Sequence, residues 1–354
     1  MTRYRCDCGN VLFFENFQCV NCGHLVGYDP ELQTMVTVNP GGPVARCGNS
    51  LAYGVCNWLV TVESGETICL ACRFNRTIPD ISNQRNVMLW GRFEAAKRRM
   101  LASLLSLKIP LTTKAHDATF GLAFDFVSSF ADPQVTTGHF NGVVTLNIEE
   151  ADDTYREINR ANLGESSRTI LGHLRHEMGH YIWQRWIGWL PPGPLLEASR
   201  YCFGDERKNY AEALEGYYLH GAAPGWTANY ISAYASSHPW EDWAETFAHY
   251  LQIKDGLETF DGSGCSLGST NAQSSSDLNT ASLLPPMLPP DAAEDKAFSA
   301  WLQRWLAVSS MLNEVSASLG QPLQYPFTIS NIVAGKLRFV RHVLGSISLI
   351  TPSG

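Results

Sequence analysis

A chain of 354 residues with 45 % hydrophobic and 17 % charged side chains has ample apolar material for a buried core spread over two or three domains, which speaks against global disorder. The formal charge of −8 and a pI near 5.7 argue against a polyanion, whether nucleic acid or an acidic membrane, as the main partner. The opening Met1-Thr-Arg-Tyr-Arg-Cys lacks the apolar stretch of a signal peptide, and no later run approaches about 18 uninterrupted apolar residues. The expectation is a cytoplasmic protein that is neither exported nor membrane-spanning.

Eight of the ten cysteines fall within the first 72 residues. Cys6 and Cys8 precede Cys19 and Cys22, while Cys47 and Cys56 precede Cys69 and Cys72, so each quartet closes on CxxC. Two thiolates at that spacing can chelate one tetrahedral ion, because a tight knuckle turn brings both sulfurs to about 2.3 Å from Zn²⁺. Glycines follow Cys8 and Cys22, where such turns need positive φ. The economical expectation is two structural zinc ions, one per quartet, with pairing across the quartets left open. A disulfide scaffold is the alternative, and the missing export signal weighs against it. His24 can replace a thiolate in principle, but four cysteines already complete that site.

A short segment poor in apolar residues needs metal to offset its chain entropy, which favours a structural role for these ions. Residues 1–80 carry five Arg and no Lys against seven Asp and Glu, which is no footprint for a phosphate backbone. A protein partner therefore suits the zinc ribbons better than nucleic acid. Cys202 and Cys265 have no second ligand at chelating spacing and read as ordinary thiols.

Residues 83–107 form the next predicted element, a helix in which Val87, Trp90, Phe93, Met100, Leu101, Leu104 and Leu105 recur at helical intervals. Its cluster of Arg92, Lys97, Arg98 and Arg99 reads as a solvated face. Pro110 ends the helix, and 111–150 turns to Gly-punctuated alternation, as in Leu122-Ala-Phe-Asp-Phe-Val and Val143-Val-Thr-Leu-Asn-Ile, predicting a small twisted sheet. His139-Phe-Asn-Gly-Val-Val-Thr-Leu is either an edge strand that pairs with an extended peptide or an ordinary core hairpin. Helical segments follow near 166–186, 205–220 and 239–256. Gly, Ser, Asn and Pro then make 261–292 a loop or linker, and helices over 293–318 and 329–345 close the chain.

The segment that carries chemistry is His176-Glu177-Met178-Gly179-His180. On a helix, positions i and i+4 share a face, so both imidazoles can reach one Zn²⁺ at about 2.0–2.1 Å with Glu177 beside them. Zinc lowers the pKa of a water toward roughly 7, and Glu177 can take its proton and hand it to the leaving amine. His173 lies on the same helix, without a carboxylate placed to act with a 173/176 pair, and reads as a packing or ligand-supporting residue.

A catalytic zinc needs a third protein ligand and one open position. The best donor is Glu241 in His238-Pro-Trp-Glu-Asp-Trp-Ala-Glu-Thr-Phe-Ala-His-Tyr, where Pro239 marks the first helical turn. Glu245 lies one turn on and can accept a hydrogen bond from a ligand imidazole, which fixes its tautomer. Trp240, Trp243 and Phe247 make this helix apolar, so its carboxylates are expected to face a buried, charge-compensated site. The competing reading is a surface helix with a few acids, leaving Asp242 and His249 at a rim. Tyr234, seven residues before Glu241, can hydrogen-bond a developing oxyanion, with Tyr217, Tyr218 and Tyr230 as rivals.

HExxH followed on a later helix by ExxxE resembles the glutamate-zincins, the thermolysin-like and lethal-factor-like peptidases. That resemblance implies His176, His180 and Glu241 as ligands of a catalytic zinc, Glu177 as acid and base, Glu245 as the supporting carboxylate and Tyr234 as the transition-state tyrosine. More closely, Leu89-Trp-Gly-Arg-Phe-Glu-Ala-Ala-Lys-Arg-Arg, His176-Glu-Met-Gly-His-Tyr, Phe203-Gly-Asp-Glu-Arg and Ser232-Ala-Tyr-Ala-Ser-Ser-His-Pro-Trp-Glu-Asp-Trp-Ala-Glu-Thr resemble bacterial zinc-binding metallopeptidases with an N-terminal zinc-ribbon domain.

The implied architecture is α+β. It comprises a zinc-ribbon region over 1–80, a mostly helical zincin-type domain with a small twisted sheet over 81–260, a loop or linker over 261–292 and a helical segment over 293–354 packing on the catalytic domain. The implied function is hydrolysis of peptide bonds in a protein or peptide substrate, with one catalytic and two structural Zn²⁺. An isopeptidase or amidase would use the same residues, and a zinc-stabilised adaptor without catalysis would have no need of Glu177.

Overall fold

Short antiparallel hairpins begin the chain, because its first turns are set by the Cys6-Asp-Cys-Gly and Cys19-Val-Asn-Cys-Gly knuckles and its few apolar residues cannot fill a larger core. Strands β1 (Tyr4–Arg5) and β2 (Val11–Leu12) pair first, then β3 (Val26–Asp29) with β4 (Thr34–Thr37). Strand β5 (Val44–Arg46) pairs with β6 (Leu59–Thr61) around helix α1 (Gly48–Tyr53). Tyr4, Phe14, Tyr28 and Trp58 form the apolar centre, with Tyr28 4.9 Å from both Phe14 and Trp58 between ring centroids. The computed structural model describes residues 3–157, 169–267 and 283–349, which divide into two units, 3–181 and 182–349.

The first unit continues through α2 (Leu70–Arg73) and β7 (Asn75–Thr77) into helix α3 (Gln84–Ser106). Asn83 caps α3 by accepting from the Arg85 amide at 3.0 Å. Leu89, Trp90, Phe93, Met100, Leu101 and Leu104 are buried along it, as the helical spacing predicts. The cationic cluster departs from the expected solvated face: Lys97 and Arg98 are 0 % and 2 % exposed. Lys97 Nζ bonds Glu94 Oε1 at 2.8 Å and also Asn75 Oδ1, while Arg98 Nη1 donates to the Val55 carbonyl at 2.5 Å.

Strands β8 (Ala123–Val127), β9 (Gly138–Phe140) and β10 (Val143–Asn147) join β7 in a four-stranded sheet of order β7-β8-β10-β9. β7 and β10 run parallel to β8, and β9 pairs antiparallel to β10. The β9–β10 connection is the two-residue turn Asn141-Gly142, both at positive φ (47° and 79°), as a type I′ hairpin requires. His139-Phe140 therefore lies in a hairpin at the edge of the sheet. A 3₁₀ turn, Ile148–Ala151, follows β10, and helix α4 (Ile170–Trp183) carries the HExxH motif. The first residues of the expected 166–186 segment lie outside the described ones.

Helices dominate the second unit: α5 (Pro194–Phe203), α6 (Tyr210–His220), α7 (Pro239–Gly262), α8 (Ala292–Ser318) and α9 (Asn331–Ser348). Helix α5 lies between the expected helical segments and is not among them; its N1 position is Pro194. α7 extends beyond the expected 256 because Leu257 is still buried, and 268–282 of the expected linker lie outside the described residues. Trp243 and Phe247 of α7 pack with Phe203 of α5 and Phe339 of α9, the Trp243 ring centroid lying 5.5 Å from Phe203 and 6.0 Å from Phe339. Among the described residues, no helix is long and apolar enough to cross a membrane.

Candidate metal centre

Knuckle geometry assembles the cysteines. Gly9 and Gly23, directly after Cys8 and Cys22, adopt φ of 85° and 75°, and the four sulfurs of Cys6, Cys8, Cys19 and Cys22 lie within 4.8 Å of one another, as do those of Cys47, Cys56, Cys69 and Cys72. Sulfurs at 2.3 Å from one tetrahedral ion would stand about 3.8 Å apart. The Cys6–Cys22, Cys8–Cys19 and Cys56–Cys69 separations are 3.6, 3.7 and 3.6 Å, suited to a shared ion and far from the roughly 2.05 Å of a disulfide. All ten cysteines are free thiols in the structure.

Polar neighbours favour a thiolate at Cys19. The backbone amide of Cys22, followed by that of Asn21, pulls the Cys19 thiol down to about 6. His24 is placed beside a ligand rather than in place of one, its Nδ1 3.2 Å from Cys22 Sγ. The second quartet is wholly buried. Burial works against the charge of Arg98, yet the nearby Cys56, Glu15, Glu94 and Cys72 raise its pKa.

On α4, Leu174, Met178 and Tyr181 are fully buried, and the Tyr181 hydroxyl donates to the Phe120 carbonyl at 2.9 Å, which fixes the rotation of the helix in the first unit. His176 and His180 thereby share a face. Their Nε2 atoms are 3.1 Å apart with the rings crossed at 82°. Two nitrogens each 2.0–2.1 Å from a tetrahedral Zn²⁺ would be separated by about 3.3–3.4 Å, so the pair fits a common ion.

Glu177 is buried beside them. Burial alone would raise its pKa, but the hydrogen bond and charge of His173, with the charges of His176 and His180, hold it down to about 2. His173 Nε2 stands 3.2 Å from Glu177 Oε1, and its Nδ1 2.8 Å from Glu150 Oε2. His139, on the edge strand, accepts the Gly142 amide at Nε2 (3.0 Å), and burial lowers its pKa to about 3, leaving a neutral ring beside Tyr181.

Glu241 belongs to the second unit. His238 caps α7 by accepting the Trp240 amide at 3.1 Å, which sets Glu241 in the first turn, where the helix dipole favours an anion. Its side chain is buried and accepts from the Tyr210 hydroxyl at 2.8 Å, a partner from α6 that the sequence did not signal. Glu245, one turn on, accepts from Ser232 at 2.6 Å. Tyr234 opens the 3₁₀ turn Tyr234–Ser236 with Tyr217 edge-on at 5.6 Å, whereas Tyr230 lies under Lys336 Nζ at 4.5 Å and Tyr218 is exposed.

Neither Asp242 nor His249 is a rim residue. Asp242 is buried in an ion pair with Lys336 at 2.5 Å, and His249 Nδ1 is 3.0 Å from the buried Tyr325 hydroxyl. Both are turned inward because their partners come from segments 94 and 76 residues away.

Known families and proteins resemble this chain over nearly its whole length. A family model described as "Putative zinc-binding metallo-peptidase" matches residues 86–343, and one described as a zinc-ribbon domain matches residues 3–83. Proteins of Mycobacterium bovis and of two Mycobacterium tuberculosis strains, named only as uncharacterized, are each 37 % identical over 349 residues, covering 98 % of this chain and 96 % of theirs. No solved structure matches. With its N-terminal zinc ribbon and the mostly helical α+β region that follows, the chain belongs to this family of zinc-binding metallopeptidases.

Proposed function

We propose that this chain is a zinc-dependent peptidase in which His176, His180 and Glu241 hold one zinc and Glu177 serves as general base and then general acid. The observation that carries the reading is the approach of His176 and His180 Nε2 to 3.1 Å on one helix face, with the buried carboxylate of Glu177 next to them. A zinc ion bound there would polarise the scissile carbonyl and acidify a water. Glu177 would take that water's proton and return it to the departing amine, so that neither charge is stranded in a buried site.

Glu241 as third ligand is supported by its burial, its place in the first turn of α7 and the HExxH…ExxxE pattern. Tyr210 would orient its carboxylate, Glu245 would support a ligand imidazole, and Tyr234 would donate to the oxyanion. An extended protein or peptide substrate would pair with edge strand β9. The cysteine quartets would hold two structural zincs and offer a surface to a protein partner. Their free thiols suit a reducing compartment such as the cytoplasm.

The test is a peptide-library digest with wild type and Glu177→Gln side by side. The variant should retain zinc and lose about 10²–10⁴-fold in kcat/KM. Cleavage within a few-fold of wild type would overturn the mechanism.

A further inference from the structure

Both ring nitrogens of His173 are directed at carboxylates, Nδ1 at Glu150 Oε2 (2.8 Å) and Nε2 at Glu177 Oε1 (3.2 Å). Glu150 lies in the 3₁₀ turn that follows β10 directly, so a line of contacts runs from an interior strand through Glu150 and His173 to Glu177. The three side chains are only 16, 12 and 6 % exposed. A metal-ligating imidazole must point a lone pair at the ion, and His173 has no nitrogen left for that task.

A glutamate has three side-chain torsions, and a general base works only when one carboxylate oxygen stays within hydrogen-bond reach of the proton it takes. The spacing of 173 to 177 repeats that of 176 to 180, so the helix that pairs the two imidazoles also pairs His173 with the carboxylate. We propose that His173, anchored by Glu150, is the positioning residue for Glu177: it engages Oε1 and so presents Oε2 as the oxygen that exchanges the proton. This rests on the reading of Glu177 as general base, although the contacts themselves do not.

Two measurements test it. Long-range ¹H–¹⁵N spectra of zinc-loaded, histidine-labelled protein should show the Nδ1 signal of His173 displaced in Glu150→Gln and its Nε2 signal displaced in Glu177→Gln. Unmoved signals in both variants overturn the proposal, and because this arm needs no substrate it decides the matter even if no peptidase activity is found. In steady-state kinetics, His173→Phe should lower kcat by about 10–100-fold with KM and zinc content kept, and His173→Gln, which keeps one donor for Glu177, should recover most of the loss. An unchanged kcat, or a loss in KM and zinc alone, overturns it. Should His173→Phe fail to fold, Glu150→Gln carries the same kinetic prediction.

Discussion

Lys97 and Arg98 belong to a run of cations that would ordinarily face water, yet each is folded inward against partners far along the chain. Glu94 Oε1 receives Lys97, the Trp90 indole and the Asn75 amide, so one buried carboxylate is neutralised by a cation and two further donors. Removing one member of such a pair leaves an uncompensated charge, whereas removing both charges costs far less. Lys97→Met should therefore destabilise the first unit by about 3–5 kcal/mol, and adding Glu94→Gln should restore part of it, as read from urea unfolding midpoints. The periodicity of α3 did not reveal this, because Lys97 is held by Asn75, 22 positions away, as well as by Glu94 of its own helix, and Arg98 by Val55, 43 positions away. Tyr210, 31 residues from the Glu241 carboxylate it contacts, was hidden for the same reason.

Helix α4 was readable, and the β9–β10 hairpin was one of two readings, because their determinants are local. An i, i+4 pair meets on any helix, and Asn-Gly between two apolar runs dictates a type I′ turn wherever it occurs. The position of β9 at the sheet edge was one of two readings until the strand order was known. If a substrate backbone adds to that edge, its own amides supply the hydrogen bonds. N-methylating two amides flanking the scissile bond of a cleaved peptide should then reduce kcat/KM by about 10-fold or more, at roughly 0.5–1.5 kcal/mol per lost bond. Equal turnover of the methylated and parent peptides would remove β9 from the substrate site.

For the molecule as a whole, metal content is the discriminating quantity. Elemental analysis of purified protein should find about three zincs per chain. A brief chelator treatment should strip one together with cleavage, while two remain in the cysteine quartets until the ribbon unfolds. A single zinc, or three that leave together, would contradict the division into one catalytic and two structural ions. What the amino-acid order alone determined was the set of short-range patterns able to chelate a metal: the cysteine knuckles, the HExxH helix face and the ExxxE turn, each fixed by the pitch of a few residues. Only the tertiary fold decided which distant groups tune them, such as Glu150 behind His173, Tyr210 on Glu241 and Lys336 against Asp242. Contacts between elements far apart in the chain follow from packing, and packing leaves no periodic trace in the sequence.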